Sequence, residues 1–141
     1  MPERQRKTVH DLLAEARSGL ERVVPAELAD LMKAADHAEG ERLRVIDIRP
    51  REDRERTGII EGSEHIGLLV LQWRLDPASG ASEGTAAGLD DHVVVVCNQG
   101  YSSSLAAGQL QQMGFARATD LDGGVEGWIE AGLPVVPPPR A

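Results

Sequence analysis

The sequence predicts an α/β fold, on three observations. Four consecutive valines at 93–96 form a β-branched run without polar alternation, which suits a strand covered on both faces, as in a parallel sheet with helices above and below. That run leads through Asn98-Gln99-Gly100 directly into a segment of helical periodicity, and short strands and helices alternate along the chain. The length of 141 residues fits one compact unit that buries a core without covalent staples.

Between residues 8 and 24, Val9, Leu12, Leu13, Ala16, Leu20 and Val23 recur at steps of three and four, with Asp11, Glu15, Arg17 and Glu21 between them. This pattern predicts an amphipathic helix broken or bent near Gly19. Pro25 suits a first helical turn, and Leu28, Leu31, Met32 and Ala35 form the stripe of a second helix ending near Gly40. Strands are expected at 43–48, before Arg49-Pro50, and at 90–97. A helix follows over 102–113, stopped by Gly114. Residues 118–121 read as a short strand, Asp122-Gly123-Gly124 as a turn, and 125–131 as a last helix closed by Gly132 and Pro134. The glycine-rich stretch 76–88 is expected to be a functional or mobile loop, and the tail 134–141 to be extended.

Fifteen basic residues stand against 23 acidic ones, for a net charge of −8, with no local basic block. That balance argues against binding to nucleic acid or an anionic membrane. No apolar stretch approaches the ~20 residues of a membrane span, and the start MPERQRKTVHD has no hydrophobic signal core, so a cytoplasmic location is expected. The single cysteine, Cys97, excludes an intrachain disulfide and a multi-cysteine zinc site. His10, His37, His65 and His92 lack ligand spacing, and no phosphate-cradling or dinucleotide glycine motif is present, so neither metal nor cofactor is expected.

Cys97 falls at the carboxyl end of the buried strand, where open α/β sheets bind ligands and where a helix N-terminus offers unpaired N–H groups. Curling Asn98-Gln99-Gly100-Tyr101-Ser102 around the sulfur would favour a nucleophilic thiolate. A plain buried cysteine is the alternative.

The chain resembles the rhodanese-like family in four pieces, spread over about 23–136. They are Val45-Ile46-Asp47-Ile48-Arg49, Gly58-Ile59-Ile60-Glu61-Gly62-Ser63, the loop Cys97-Asn98-Gln99-Gly100-Tyr101-Ser102-Ser103, and Leu121-Asp122-Gly123-Gly124 through Trp128 to Pro134. The resemblance implies a sheet of about five mostly parallel strands with helices on both faces, and a cysteine that carries sulfur as a persulfide. It makes residues 1–22 a helical extension, 23–136 the domain and 137–141 a proline-rich tail. It further implies a sulfurtransferase that takes sulfur from thiosulfate or a related small anion and gives it to a thiol, protein or cyanide acceptor. A persulfide carrier, sensor or docking module with little free turnover is the alternative.

Cys97 would be the nucleophile, with Asn98, Gln99, Gly100, Tyr101, Ser102 and Ser103 binding substrate. Many relatives place a cation in this loop, and CNQGYSS has none. Arg74 is a candidate to supply one, or else it covers Trp73 at the surface. The loop also lacks the arginine that cysteine phosphatases and arsenate reductases place six positions after the cysteine, since Ser103 stands there. Asp47 and Arg49 are read as closing a strand end, Trp128 as packing, and His65 as structural.

Overall fold

The computed structural model describes residues 5–35 and 42–140. Helix α1, Val9–Ser18, starts with a reciprocal cap in which Thr8 Oγ1 accepts the Asp11 N–H and Asp11 Oδ2 accepts the Thr8 N–H. The periodicity runs on to Val23, but the helix stops at Gly19, where a break or bend was expected, and 20–24 are not helical. Helix α2, Pro25–Ala35, begins at the expected proline; its expected end near Gly40 lies outside the described residues. There follow β1 (Leu43–Asp47), α3 (Arg51–Thr57), β2 (Glu64–His65), a 3₁₀ turn at Leu68–Val70 running into α4 (Leu71–Leu75), and β3 (His92–Val96). The chain continues through α5 (Ser102–Gln112), β4 (Thr119–Asp120) and α6 (Gly124–Glu130). Neither α3 nor α4 announces itself in the sequence: α3 reads REDRERT, with no apolar residue to set a period.

The sheet is parallel throughout, in the order β2-β1-β3-β4, with Leu43 opposite His92 and Asp47 opposite Val96. Among the described residues it has four strands where about five were expected. At the fifth position, beside β4, the chain makes a single parallel bridge from Val23 to Leu121. Val23 N–H donates to the Asp120 carbonyl at 3.1 Å and Asp122 N–H to the Val23 carbonyl at 2.8 Å. Pro25 then opens α2 two residues later and ends the pairing.

The valine run is buried on both faces as its composition requires. Val93 and Val95 join Ile46, Leu71, Leu75, Leu110 and Phe115 on one side; Val94 and Val96 join Leu28, Ile60, Leu121 and Trp128 on the other. Trp128 packs as expected and donates its indole N–H to the Pro134 carbonyl. The tail is tied to the body by an antiparallel bridge between Ile59 and Val136. The glycine-rich stretch is also tied down: Arg44 donates to the Thr85 and Ala86 carbonyls, and Thr85 Oγ1 donates toward the Arg74 carbonyl. No helix among the described residues is long and apolar enough to cross a membrane.

The end of β1 is closed by a buried ion pair. Asp47 accepts the Arg49 N–H and both Nε and Nη2 of its guanidinium, and Arg54 Nε adds a fourth donor at 3.3 Å. Arg49 Nη1 and Nη2 go on to Thr57 Oγ1 and the Gly58 carbonyl, both at 2.8 Å, which fastens α3 to the strand end. Asp47→Ala should leave two buried guanidiniums without their carboxylate and lower stability by about 3–5 kcal/mol. The urea midpoint of the folded variant measures that loss.

Candidate active site

Cys97 is the first residue beyond β3, at the carboxyl edge of the sheet, and only 8% of it is exposed. Its Sγ accepts the Gly100 N–H at 3.1 Å. The backbone reaches that position through a left-handed Gly100 at φ +87°, where a Cβ would stand 2.9 Å from the Gly123 nitrogen. Beneath the loop, the Val125 and Glu126 N–H groups at the start of α6 donate to the Cys97 and Asn98 carbonyls at 2.9 and 3.0 Å. Gly124 approaches so closely that a Cβ would lie 2.5 Å from both carbonyl oxygens. The Gly123-Gly124 pair thus serves a contact as well as a turn.

A second tier lies behind the sulfur. Cys97 S–H donates to Ser103 Oγ at 3.3 Å, and that hydroxyl donates to Asp120 Oδ2 at 2.7 Å. Ser104 Oγ donates to the same oxygen at 2.8 Å, and Arg22 Nε donates to Oδ1 at 2.9 Å. Asp120 is fully buried, and a carboxylate taken out of water is stable only with such partners. Burial works against the Arg22 charge, but the hydrogen bond and charge of Asp120, with Asp122 and Cys97 behind them, prevail and raise its pKa above the ordinary arginine value. When Cys97 ionises, Ser103 can turn its proton to the sulfur while Asp120 keeps Ser104 and Arg22. The Gly100 carbonyl also faces this side, accepting Arg17 Nη2 at 2.8 Å and Arg22 Nη2 at 3.0 Å.

In front of the sulfur is a cavity of about 540 Å³ lined by Ile48, Arg49, Pro50, Leu68, Leu69 and Tyr101 as well as the loop. Of the residues the sequence singled out, Asn98, Gln99, Tyr101 and Ser102 line it with Cys97. Gly100 serves the sulfur from its backbone, and Ser103 sits behind rather than in the cavity. Asn98 also bonds Asp53 on α3: Arg56 first, then the Asn98 side chain, holds that carboxyl below the usual carboxylate range. Arg74 is not brought here, because its guanidinium is turned to the Ala81 carbonyl at 2.8 Å and to Glu83 at 3.5 Å. His65 lines the cavity with Nε2 2.8 Å from the Arg49 carbonyl oxygen.

Arg17, Arg22 and Asp120 were not foreseen as site residues. Asp120 left one signal, an acid within the short strand expected at 118–121, and its burial demands partners. Arg17 looked like any polar-face residue of an amphipathic helix.

Fold, sheet-edge cysteine and the loop that holds its sulfur define an α/β protein with its one cysteine at the mouth of a cavity. The description "rhodanese-like domain" fits residues 24–131. Thiosulfate sulfurtransferase GlpE of Pseudomonas aeruginosa is 41% identical over 85 residues, which are 60% of this chain and 68% of that protein. GlpE of Stutzerimonas stutzeri is 34% identical over 105 residues, 74% of this chain and 82% of that protein. Among solved structures, a Rhodopseudomonas palustris protein of unknown function, described as a possible tyrosine phosphatase, superposes with a TM-score of 0.79 at 29% identity, covering 96% of this chain and 99% of its own. The human single-domain sulfurtransferase TSTD1 gives 0.63 at 26% identity, covering 77% of this chain and 95% of its own. The chain belongs to the rhodanese-like domain family. It is a sulfurtransferase in the general sense of its single-domain relatives.

Two left-handed glycines test whether the α6 contact matters. Gly132, φ +82°, has open space around its missing Cβ, whereas Gly124, φ +61°, has none. Gly132→Ala should cost about 1 kcal/mol of stability for the backbone alone. Gly124→Ala should cost roughly 2–3 kcal/mol or more and slow Cys97 alkylation as well, because the cysteine carbonyl must move. Thermal unfolding and iodoacetamide labelling of both variants read the difference.

Proposed function

We propose that the protein transfers a sulfane sulfur through a persulfide on Cys97. The observation that carries this reading is the sulfur itself, fixed by the Gly100 N–H at 3.1 Å and set among the residues of an open cavity. The Cys97 thiolate attacks the outer sulfur of thiosulfate. A new S–S bond forms to Cys97 as the bond to the sulfonate sulfur breaks, and its electron pair leaves with sulfite. A thiol or cyanide then attacks the outer sulfur of the persulfide and returns Cys97 as a thiolate. No further base is needed once the thiol is ionised, and the loop N–H groups stabilise negative charge in both states.

Donor recognition rests on neutral groups. Arg49 lines the cavity, but its guanidinium is occupied by Asp47, Thr57 and the Gly58 carbonyl. A dianion is left with backbone N–H groups, the Ser102 hydroxyl and the side-chain amides of Asn98 and Gln99, so thiosulfate affinity is modest. An acceptor that brings apolar surface, such as a protein thiol, is favoured by the rim, where Leu69 is 90% and Tyr101 57% exposed. This is also the observation that supports the carrier reading. Slow thiosulfate:cyanide turnover despite complete loading would mark a carrier. Phosphate-ester chemistry has no support in the loop, since Ser103 stands where the oxyanion-clamping arginine would be and gives its proton to Asp120.

Thiosulfate treatment should add the mass of one sulfur to the intact protein, and Cys97→Ser should gain none; a gain that survives the substitution overturns the proposal. Ser102→Arg should lower the KM for thiosulfate by about fivefold, the worth of roughly 1 kcal/mol from one charge-assisted hydrogen bond near the surface. Steady-state kinetics at fixed ionic strength measures it.

A further inference from the structure

Two arginines that reach the loop lie outside the stretch matched to the family. Arg17 is on α1 and Arg22 just beyond it, whereas the match begins at residue 24. Both place a guanidinium nitrogen on one acceptor, the Gly100 carbonyl oxygen, at 2.8 and 3.0 Å. Arg17 also donates from Nε to Ser104 Oγ at 3.0 Å and stands 5.8 Å from the centroid of the Tyr101 ring. The helix is seated independently of these bonds. A Cβ on Gly108 of α5 would lie 3.0 Å from the Ala16 Cβ, and Gln111 Nε2 donates to the Gly19 carbonyl at 2.8 Å.

We propose that α1 is a working part of the active site, with Arg17 a positioning residue that fixes the Gly100 carbonyl so that the Gly100 N–H stays aimed at the sulfur. The proposal rests on Cys97 being the nucleophile. Gly100 uses its two polar groups in different directions, the N–H on Cys97 Sγ and the carbonyl on the guanidinium pair. With φ at +87° and no side chain, its own conformational preferences do little to hold that arrangement. Two cationic donors on the carbonyl supply the missing restraint. The peptide between Gly100 and Tyr101 is trans and planar, so anchoring its oxygen turns the Tyr101 N–H the opposite way. Polarising that carbonyl also strengthens the N–H as a donor. Arg22 is already committed to Asp120 and Asp122. Arg17 instead bonds the loop and its following helix, and it does not line the cavity, so it acts through the loop rather than on the donor.

The test is alkylation of Cys97 in the full chain at fixed pH, with neutral iodoacetamide and anionic iodoacetate, alongside thermal unfolding. Arg17→Gln should slow both reagents by the same factor, roughly five- to tenfold, equivalent to about one hydrogen bond. Arg17→Lys, which keeps the charge but on one donor nitrogen, should recover part of the rate. Gly108→Leu, distant from the loop, should displace α1 and reproduce the loss with Arg17 intact. The proposal is overturned if Arg17→Gln or Gly108→Leu reacts at the wild-type rate with both reagents. It is equally overturned if Arg17→Gln slows iodoacetate alone, which would make Arg17 a charge acting through space. Alkylation needs no sulfur donor, so a failure of persulfide loading would count against the proposed function without touching this readout.

Discussion

Asp120 carries a carboxylate into the interior at the end of β4, and the parts of the sulfur site meet around it. Its two oxygens accept from Ser103, Ser104 and Arg22, which belong to the helix behind the cysteine and to the segment leading from α1 to α2. Its backbone carbonyl accepts the Val23 N–H, so the same residue also joins the N-terminal segment to the sheet. A buried charge is tolerated only while its partners hold their geometry, and for that reason it specifies one arrangement of them. The apolar core beneath sets no such direction, because hydrophobic burial is indifferent to the angle at which a loop leaves a strand.

The carboxyl edge of the sheet repeats this device on either side of the cysteine. β1 ends in Asp47, closed by Arg49 and Arg54, and β4 ends in Asp120, closed by Arg22. β3 lies between them, and Cys97 follows its last residue. Each carboxylate is matched by guanidinium, so the chain's acidic balance is compensated locally on both sides of the cysteine.

What could be read from the sequence follows the range of the interactions involved. The valine run, the glycine turn and the periodic helix after it are local patterns, and they placed β3, Cys97 and α5 within a residue or two. Of the four separated pieces that resemble the rhodanese-like family, those at Asp47, Cys97 and Gly124 meet at the carboxyl edge, while Ile60, Glu61 and Gly62 line a different cavity with Val45 and Trp128. Helix α3 escaped because it is held by Arg54 reaching back to Asp47 and by Arg49 reaching forward to Thr57 and the Gly58 carbonyl, not by an apolar stripe. Arg74 was a candidate for the cation that the loop lacks, with covering Trp73 as the alternative, and its guanidinium goes to the carbonyl of Ala81 and the carboxylate of Glu83. Arg17 and Arg22 pair with residues roughly eighty to a hundred positions away, and nothing in a window around either residue encodes such a partner.

The single bridge at Val23 has a bearing on where this protein can be cut. A fragment starting at residue 24 would keep every feature by which the family is recognised, including the cysteine, its loop and all four strands. It would lose the Val23 rung beside β4 and both guanidiniums on the Gly100 carbonyl. The unit that folds around the sulfur therefore reaches further toward the N-terminus than the unit that defines kinship.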